Sequence, residues 1–197
     1  MPNWCFTNIT INHNDSYKIA HLYNLIREWT SKDWMDNGFG NDWLGNVVLG
    51  SGVGTVDTNK DTDIRCRGRI TDMNFDDNSI CIHTETAWSP MLKIWVKVVN
   101  KYLPDAELLY SAEEEGNGLF CTNDPSLKDK WIIDSWDIDE VESDWEASRE
   151  TVIEVLQKLL DTEEINMKIL LGMLYGSDYD DGMNIHEWEY CSIGEWD

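Results

Sequence analysis

The side chains that could do chemistry fall into a few small sets, and the first is metal-like. Cys81 and His83 are two residues apart, so a strand would put both on one face, with Cys66 on a neighbouring strand. A zinc site needs four ligands with short paired spacings, and that set is incomplete here, so His83 reads as a strand residue satisfied by hydrogen bonds. His186-Glu187 lacks the second histidine of an HExxH helix. Asp57, Asn59, Asp61 and Asp63 alternate as calcium ligands do, but the loop glycine and the closing glutamate are missing. No metal and no cofactor is expected.

Carboxylate chemistry is the second possibility. Glu85, Glu113 and Glu114 would meet beside Trp88 if two strands brought them together, and paired carboxylates flanking a bond are what glycosidases use. With 38 acidic residues in the chain, such proximity has little diagnostic value. No glycine-flanked nucleophile elbow surrounds any serine. Gly50-Ser51-Gly52-Val53-Gly54 has neither a P-loop lysine nor an evident following helix, so it reads as a flexible loop. The chain is therefore expected not to be an enzyme.

The third set is the acidic run Asp134, Asp137, Asp139, Glu140, Glu142, Asp144, Glu146 and Glu150, interrupted only by Arg149. It is the densest part of a chain with 15 basic and 38 acidic residues, a net charge of −23. Duplex DNA carries one charge per ~1.7 Å, so this charge corresponds to roughly 39 Å of double helix. A compact chain of this length has a diameter of roughly 42 Å. Direct binding to nucleic acid or to an anionic membrane is disfavoured, and binding to a basic, nucleic-acid-handling protein is favoured. Solubility alone also makes many proteins acidic, and charge runs commonly form solvated faces.

Elements must position these groups. Cys5 to Asn12 alternates as a strand, and Asp15 or Ser16 caps a helix to about Trp29 with Ile19, Leu22, Tyr23 and Ile26 on its apolar stripe. Residues 31–63 read as a long loop with a short irregular turn at Trp43-Leu44. Ile64–Asp72 and Ser79–Thr84 read as strands joined through Asn74–Asn78. Ser89 as N-cap and Pro90 at N1 predict a helix that ends before Pro104. Strands follow near Glu107–Ala112 and Leu119–Thr122, with a turn at Glu113–Gly118. Beyond them come a strand at Trp131–Trp136, a helix from Asp144, another from Thr162, and a terminal strand at Met183–Tyr190. Trp88, Trp95, Trp131, Trp136 and Trp145 fall at positions that suit a core, and an exposed minority would suit a protein interface. Five widely spaced cysteines without a CxxC pair suit reduced thiols in a cytoplasm. No apolar run approaches the ~18 residues of a membrane span, and no secretory signal is visible.

Met1-Pro2-Asn3-Trp4-Cys5 with Asn8, and Thr86-Ala87-Trp88-Ser89-Pro90 followed by Tyr102, Pro104, Tyr110, Glu113-Glu114, Gly116 and Gly118, resemble the two motifs of the YubB-like proteins of phages, plasmids and genomic islands. The middle departs from that pattern: Asn41-Asp42-Trp43-Leu44-Gly45-Asn46 stands where the family has Trp-Gly-Thr-Lys-Trp. The resemblance implies a ferredoxin-like α+β domain from mobile DNA, with Trp4, Asn8, Trp88, Ser89 and Pro90 as structural motif residues, and supplies no catalytic residue. The fold expected is α+β: a βαββαβ antiparallel sheet with helices on one face over residues 1–130, and an acidic strand and helix extension over 131–197 packed on it. The function expected is that of a phage or mobile-element interaction protein in the host cytoplasm. Through the Asp134–Glu150 run it would imitate DNA and block a host defence nuclease or CRISPR component. The alternatives are a ligand-binding domain or enzyme with Trp4, Asn8, Glu85 and Trp88 around a pocket, and a structural phage protein.

Overall fold

The computed structural model describes residues 3–32, 34–56 and 64–196. It is an α+β protein whose chain divides into two compact units: residues up to Asn123 together with Cys191–Asp197, and Asp124–Tyr190. The break comes before the boundary expected near residue 130, and the last residues return to the first unit. Among the described residues no helix is long and apolar enough to cross a membrane. Cys5, Cys66 and Cys81 are free thiols.

The first unit runs β1 (Trp4–Asn12), α1 (Ser16–Thr30), α2 (Leu44–Ser51), β2 (Gly68–Asp76), β3 (Ser79–Ala87), α3 (Leu92–Tyr102), β4 (Glu107–Glu114) and β5 (Leu119–Thr122). Its strands lie in the order β2-β3-β1-β4-β5, with every neighbouring pair antiparallel. Alternation along β1 buries Cys5, Thr7, Ile9 and Ile11 and leaves Trp4, Phe6 and Asn8 on the other side. The inward residues join Ile80 and Ile82 of β3 and Tyr110 and Ala112 of β4 in one core with α1, α2 and α3. Asp15 caps α1 as expected, its carboxylate accepting from the N–H groups of Tyr17 at 3.0 Å and Lys18 at 3.2 Å.

Three expectations for this unit are corrected. The loop expected over 31–63 contains helix α2, which has two interior glycines and so little propensity of its own. Packing imposes it. Val47 and Val48 are buried, the Gly50 backbone lies against the Trp29 ring, and the Ser51 carbonyl accepts from Lys101 Nζ at 2.6 Å and Tyr102 Oη at 2.8 Å. A cation at the C-terminus of a helix also meets its dipole favourably. Second, Ser89 and Pro90 do not open α3: its first residue is Leu92, and the Ser89 carbonyl is held by the Thr86 hydroxyl at 2.8 Å. Third, β2 begins at Gly68 and not Ile64, and extends through Asn74 to Asp76, because Phe75 stacks on Tyr23 and the turn needs only Asp77 and Asn78.

The second unit comprises β6 (Trp131–Ser135), β7 (Asp144–Ala147), α4 (Arg149–Leu160), α5 (Met167–Leu174), β8 (Met183–Glu187) and the two-residue β9 (Glu189–Tyr190). β7, β6 and β8 form a second antiparallel sheet in that order. Trp131, Ile133, Val152, Leu156, Leu170, Leu174 and Ile185 belong to a core of its own. The helix expected from Asp144 is preceded by strand β7, whose Ala147 and Asp144 pair with Trp131 and Ile133 of β6. Ser148 is the cap, accepting from the Thr151 N–H at 3.0 Å. The next helix begins at Met167 and not at Thr162. Asp161, in the left-handed region at φ 48°, terminates α4, and Asn166 caps α5. Ile165, Ile169 and Met173 are exposed, although apolar.

Candidate functional site

The acidic run lies wholly in the second unit. That unit has 19 acidic and 5 basic residues, a net charge of −14 out of the chain's −23, over 67 residues. Asp137, Asp139, Glu140, Glu142, Asp144, Glu146 and Glu150 are exposed and Asp134 is half-buried. None of the eight forms an ion pair among the described residues. Such exposed carboxylates keep their full field toward solvent, screened only by salt.

The run is built on a fixed support. The N–H groups of Trp136 and Asp137 both donate to the Gly182 carbonyl, at 3.1 and 3.3 Å. Ser143 Oγ accepts from the Ser135 N–H at 3.0 Å and donates to the Ser135 carbonyl at 3.1 Å, which closes the loop. Ile138 is buried, and a Cβ at Gly182 would come within 3.1 Å of it, so glycine lets the two segments approach. Two tryptophans expected in the core stand out of it instead: Trp136 is 56% exposed and Trp145 39% exposed. Both lie between acids of the run, Trp136 beside Asp137 and Trp145 between Asp144 and Glu146. Trp131 and Trp95 are buried, as expected of core residues.

Four of the motif residues of the first unit, Trp4, Trp88, Ser89 and Pro90, lie at one turn, where Trp4 pairs with Ala87. Trp88 is the one bulky residue with positive φ among the described residues, at 72°. Such a conformation costs of order 1–3 kcal/mol and persists only where its surroundings over-determine it. Here the Trp88 N–H donates to the Asn3 carbonyl at 3.0 Å, and the Thr86 hydroxyl donates to Ser89 O at 2.8 Å and Cys5 O at 3.3 Å. Pro90 is buried; Trp88 is 49% and Trp4 38% exposed. Asn8 is an inter-strand tie on the open sheet face. Its Oδ1 lies 2.5 Å from His83 Nδ1, and its Nδ2 donates to Ser111 Oγ at 3.4 Å.

A cavity of about 430 Å³ adjoins the Trp88 turn, in the size range of small-ligand sites. Its apolar wall includes Phe39, Trp43, Ile64 and Met91, and Arg65, Arg67, Trp88 and Ser89 complete it. Trp43 is fixed by its Nε1–H, which donates to the Cys66 carbonyl at 2.6 Å. Alternation buries Ile64, Cys66 and Gly68 and exposes Arg65 and Arg67. Of the pocket residues expected, Trp88 is present, whereas Trp4, Asn8 and Glu85 are not among those lining it. The signal of these arginines in the sequence is the Arg65-Cys66-Arg67-Gly68-Arg69 alternation in so acidic a chain.

The other chemical candidates separate. Glu85 is paired with Arg69 at 2.8 Å, and Phe6 stands between Glu85 and Glu113 in the sheet register. Glu114 is buried and accepts from the Gly116 N–H at 2.8 Å and from the Asn117 amide. Cys66 lies in the core, where burial pushes its thiol up to about 12, and Cys5 is likewise pushed up to about 11. Both are protonated at neutral pH and poor nucleophiles or metal ligands. Among the described residues no three His, Cys, Asp or Glu side chains could hold a metal ion. His186 lies on strand β8, and Gly50 is inside α2. The calcium-like segment 57–63 lies outside the described residues. Comparison with family models, curated proteins and solved structures finds no match for this chain.

Proposed function

We propose that this chain is a non-enzymatic interaction protein whose second unit offers a polyanionic face, studded with tryptophan, to a basic nucleic-acid-handling protein. The observation that carries the reading is the interleaving of exposed Trp136 and Trp145 with seven exposed carboxylates that form no ion pair among the described residues, carried by the tied-down loop, by β7 and by the first turn of α4. A merely solvated face needs no large apolar side chains, whereas protein interfaces draw much of their affinity from buried tryptophan. A compact unit of 67 residues is about 28 Å across, a length over which duplex DNA carries about 16 charges. The unit's −14 is close to that figure.

The antiparallel order β2-β3-β1-β4, with α1 and α3 in a βαββαβ sequence, supports a ferredoxin-like frame for the first unit, to which α2 and β5 are additions. The motif resemblance supports an origin in a phage or other mobile element. In the host cytoplasm the partner would be a defence nuclease or CRISPR component whose substrate channel the acidic face occupies. The test is capture from host lysate by the full chain and by a variant with Asp137, Asp139, Glu140, Glu142, Asp144 and Glu146 changed to Asn or Gln. The reading requires a captured protein that binds DNA, that duplex DNA displaces, and that is lost at high salt. Equal capture by the neutralised variant would refute it.

A further inference from the structure

We propose that the cavity beside Trp88 is a binding site for a mononucleotide, an aromatic base carrying a phosphate. The described residues that line it all belong to the first unit, and none belongs to the acidic run. Its electrostatics run against the rest of the molecule. In a chain of 38 acidic and 15 basic residues, the described lining residues include two arginines and no carboxylate. Neither Arg65 nor Arg67 forms an ion pair among the described residues, whereas Arg69 two positions on is held by Glu85. Arg65 and Arg67 are both exposed and are separated by a single residue, the buried Cys66. From there both reach one multi-oxygen anion, and the planar fork suits phosphate.

The remaining lining suits the other half of the ligand. Trp88 is half exposed and is held in a backbone conformation that favours glycine, so neither burial nor local geometry accounts for an indole there. An aromatic base stacking on that face would account for it, with Phe39, Ile64 and Met91 as the apolar floor. A single nucleotide is favoured over a strand. The −23 net charge repels a polyanion along its length, while a compact anion bound by two arginines feels distant charges only through ~8 Å of screening at physiological salt.

Titration calorimetry on the full chain with each nucleoside 5′-monophosphate tests this, with the nucleosides, inorganic phosphate and a 5′-phosphorylated tetranucleotide as comparison arms. At least one mononucleotide should bind more tightly than about 1 mM, and its nucleoside or phosphate alone about tenfold more weakly. R65Q/R67Q should weaken binding by about tenfold to a hundredfold, as expected for lost charge-assisted hydrogen bonds. W88G should weaken it by about tenfold through lost stacking, without lowering the urea midpoint of the first unit, because glycine accepts the positive φ. Absence of binding by all mononucleotides, equal affinity of R65Q/R67Q and the parent, or tighter binding of the tetranucleotide would each overturn the assignment. None of these results bears on the acidic face, whose test uses different residues and a protein partner.

Discussion

Changing Gly50 to alanine should destabilise the first unit, although the same change in an isolated helix would stabilise it. A Cβ at Gly50 would fall 2.5–2.6 Å from Cδ1, Cγ and Cβ of Trp29. Ordinary carbon contacts are about 3.5–4.0 Å, so the indole must retreat by about 1 Å. Trp29 is buried and packs against Tyr102 with ring centroids 5.1 Å apart, so it has no open direction in which to move. Overpacking of this kind costs up to about 3 kcal/mol, against about 1 kcal/mol gained in helix propensity. The net expectation is a loss of about 2 kcal/mol. Gly172 provides the opposite control: it lies within α5, and a Cβ there meets nothing within 4 Å. Gly172→Ala should stabilise the second unit by about 0.5–1 kcal/mol. Urea unfolding, with amide hydrogen exchange to assign each transition to its unit, measures both. A neutral or stabilising Gly50→Ala would refute the claim that close packing on Trp29 places α2.

Ser148→Ala and Asn166→Ala each remove a side-chain acceptor from a helix N-terminus and should cost the second unit about 1 kcal/mol in the same assay. Cys5 and Cys66 should resist iodoacetamide in the native protein at pH 8 and react on unfolding, as mass spectrometry of the alkylated peptides would show. Their folded pKa values lie above the ordinary 9.0, so the unfolded chain loses these protons first. The stability they confer is whole below about pH 9 and declines as pH rises toward 11–12. His186 runs the other way: burial lowers its pKa below 6.5, with Asp134 opposing in part. Stability from the neutral ring is present above pH 6.5 and is lost as pH falls below it, and His186→Asn should flatten part of that slope in melts of the second unit. Raising salt from about 10 mM to 1 M shortens the screening length from about 30 to 3 Å and should raise the melting temperature of the second unit by relieving carboxylate repulsion.

The elements with strong periodic signals were legible. β1 and α1 lie where Ile9, Ile11, Ile19, Leu22 and Ile26 place them, because one apolar face per element leaves one way to pack. Helix α2 was hidden because Gly45 and Gly50 signal a loop locally, and only Trp43 and Trp29, distant or out of register, explain why no Cβ is tolerated. The start of α3 was misplaced because Ser89-Pro90 is a good capping pair by type, yet Thr86 recruits the Ser89 carbonyl instead. Exposure of Trp136 and Trp145 was invisible for a related reason. Residue type favours burial, and their turn and edge positions are settled by backbone pairing with Gly182 and β6. The acidic run itself was readable, since carboxylates this dense have few cations to meet. The cavity was not, because its wall is gathered from segments far apart in the chain.

The return of Cys191–Asp197 to the first unit makes the acid-rich unit an insertion, spliced into its host between Asn123 and Cys191. Its entry and exit are stapled together: the Cys191 N–H donates to the Thr122 carbonyl at 2.9 Å, and the Tyr110 hydroxyl reaches the Cys191 carbonyl at 3.2 Å. A cassette with adjoining ends can be excised and bridged by a short glycine linker, or exchanged for another, without redrawing the scaffold. On the ribosome the same arrangement delays the scaffold's completion until Cys191 and the residues after it emerge, once the whole cassette has been synthesised.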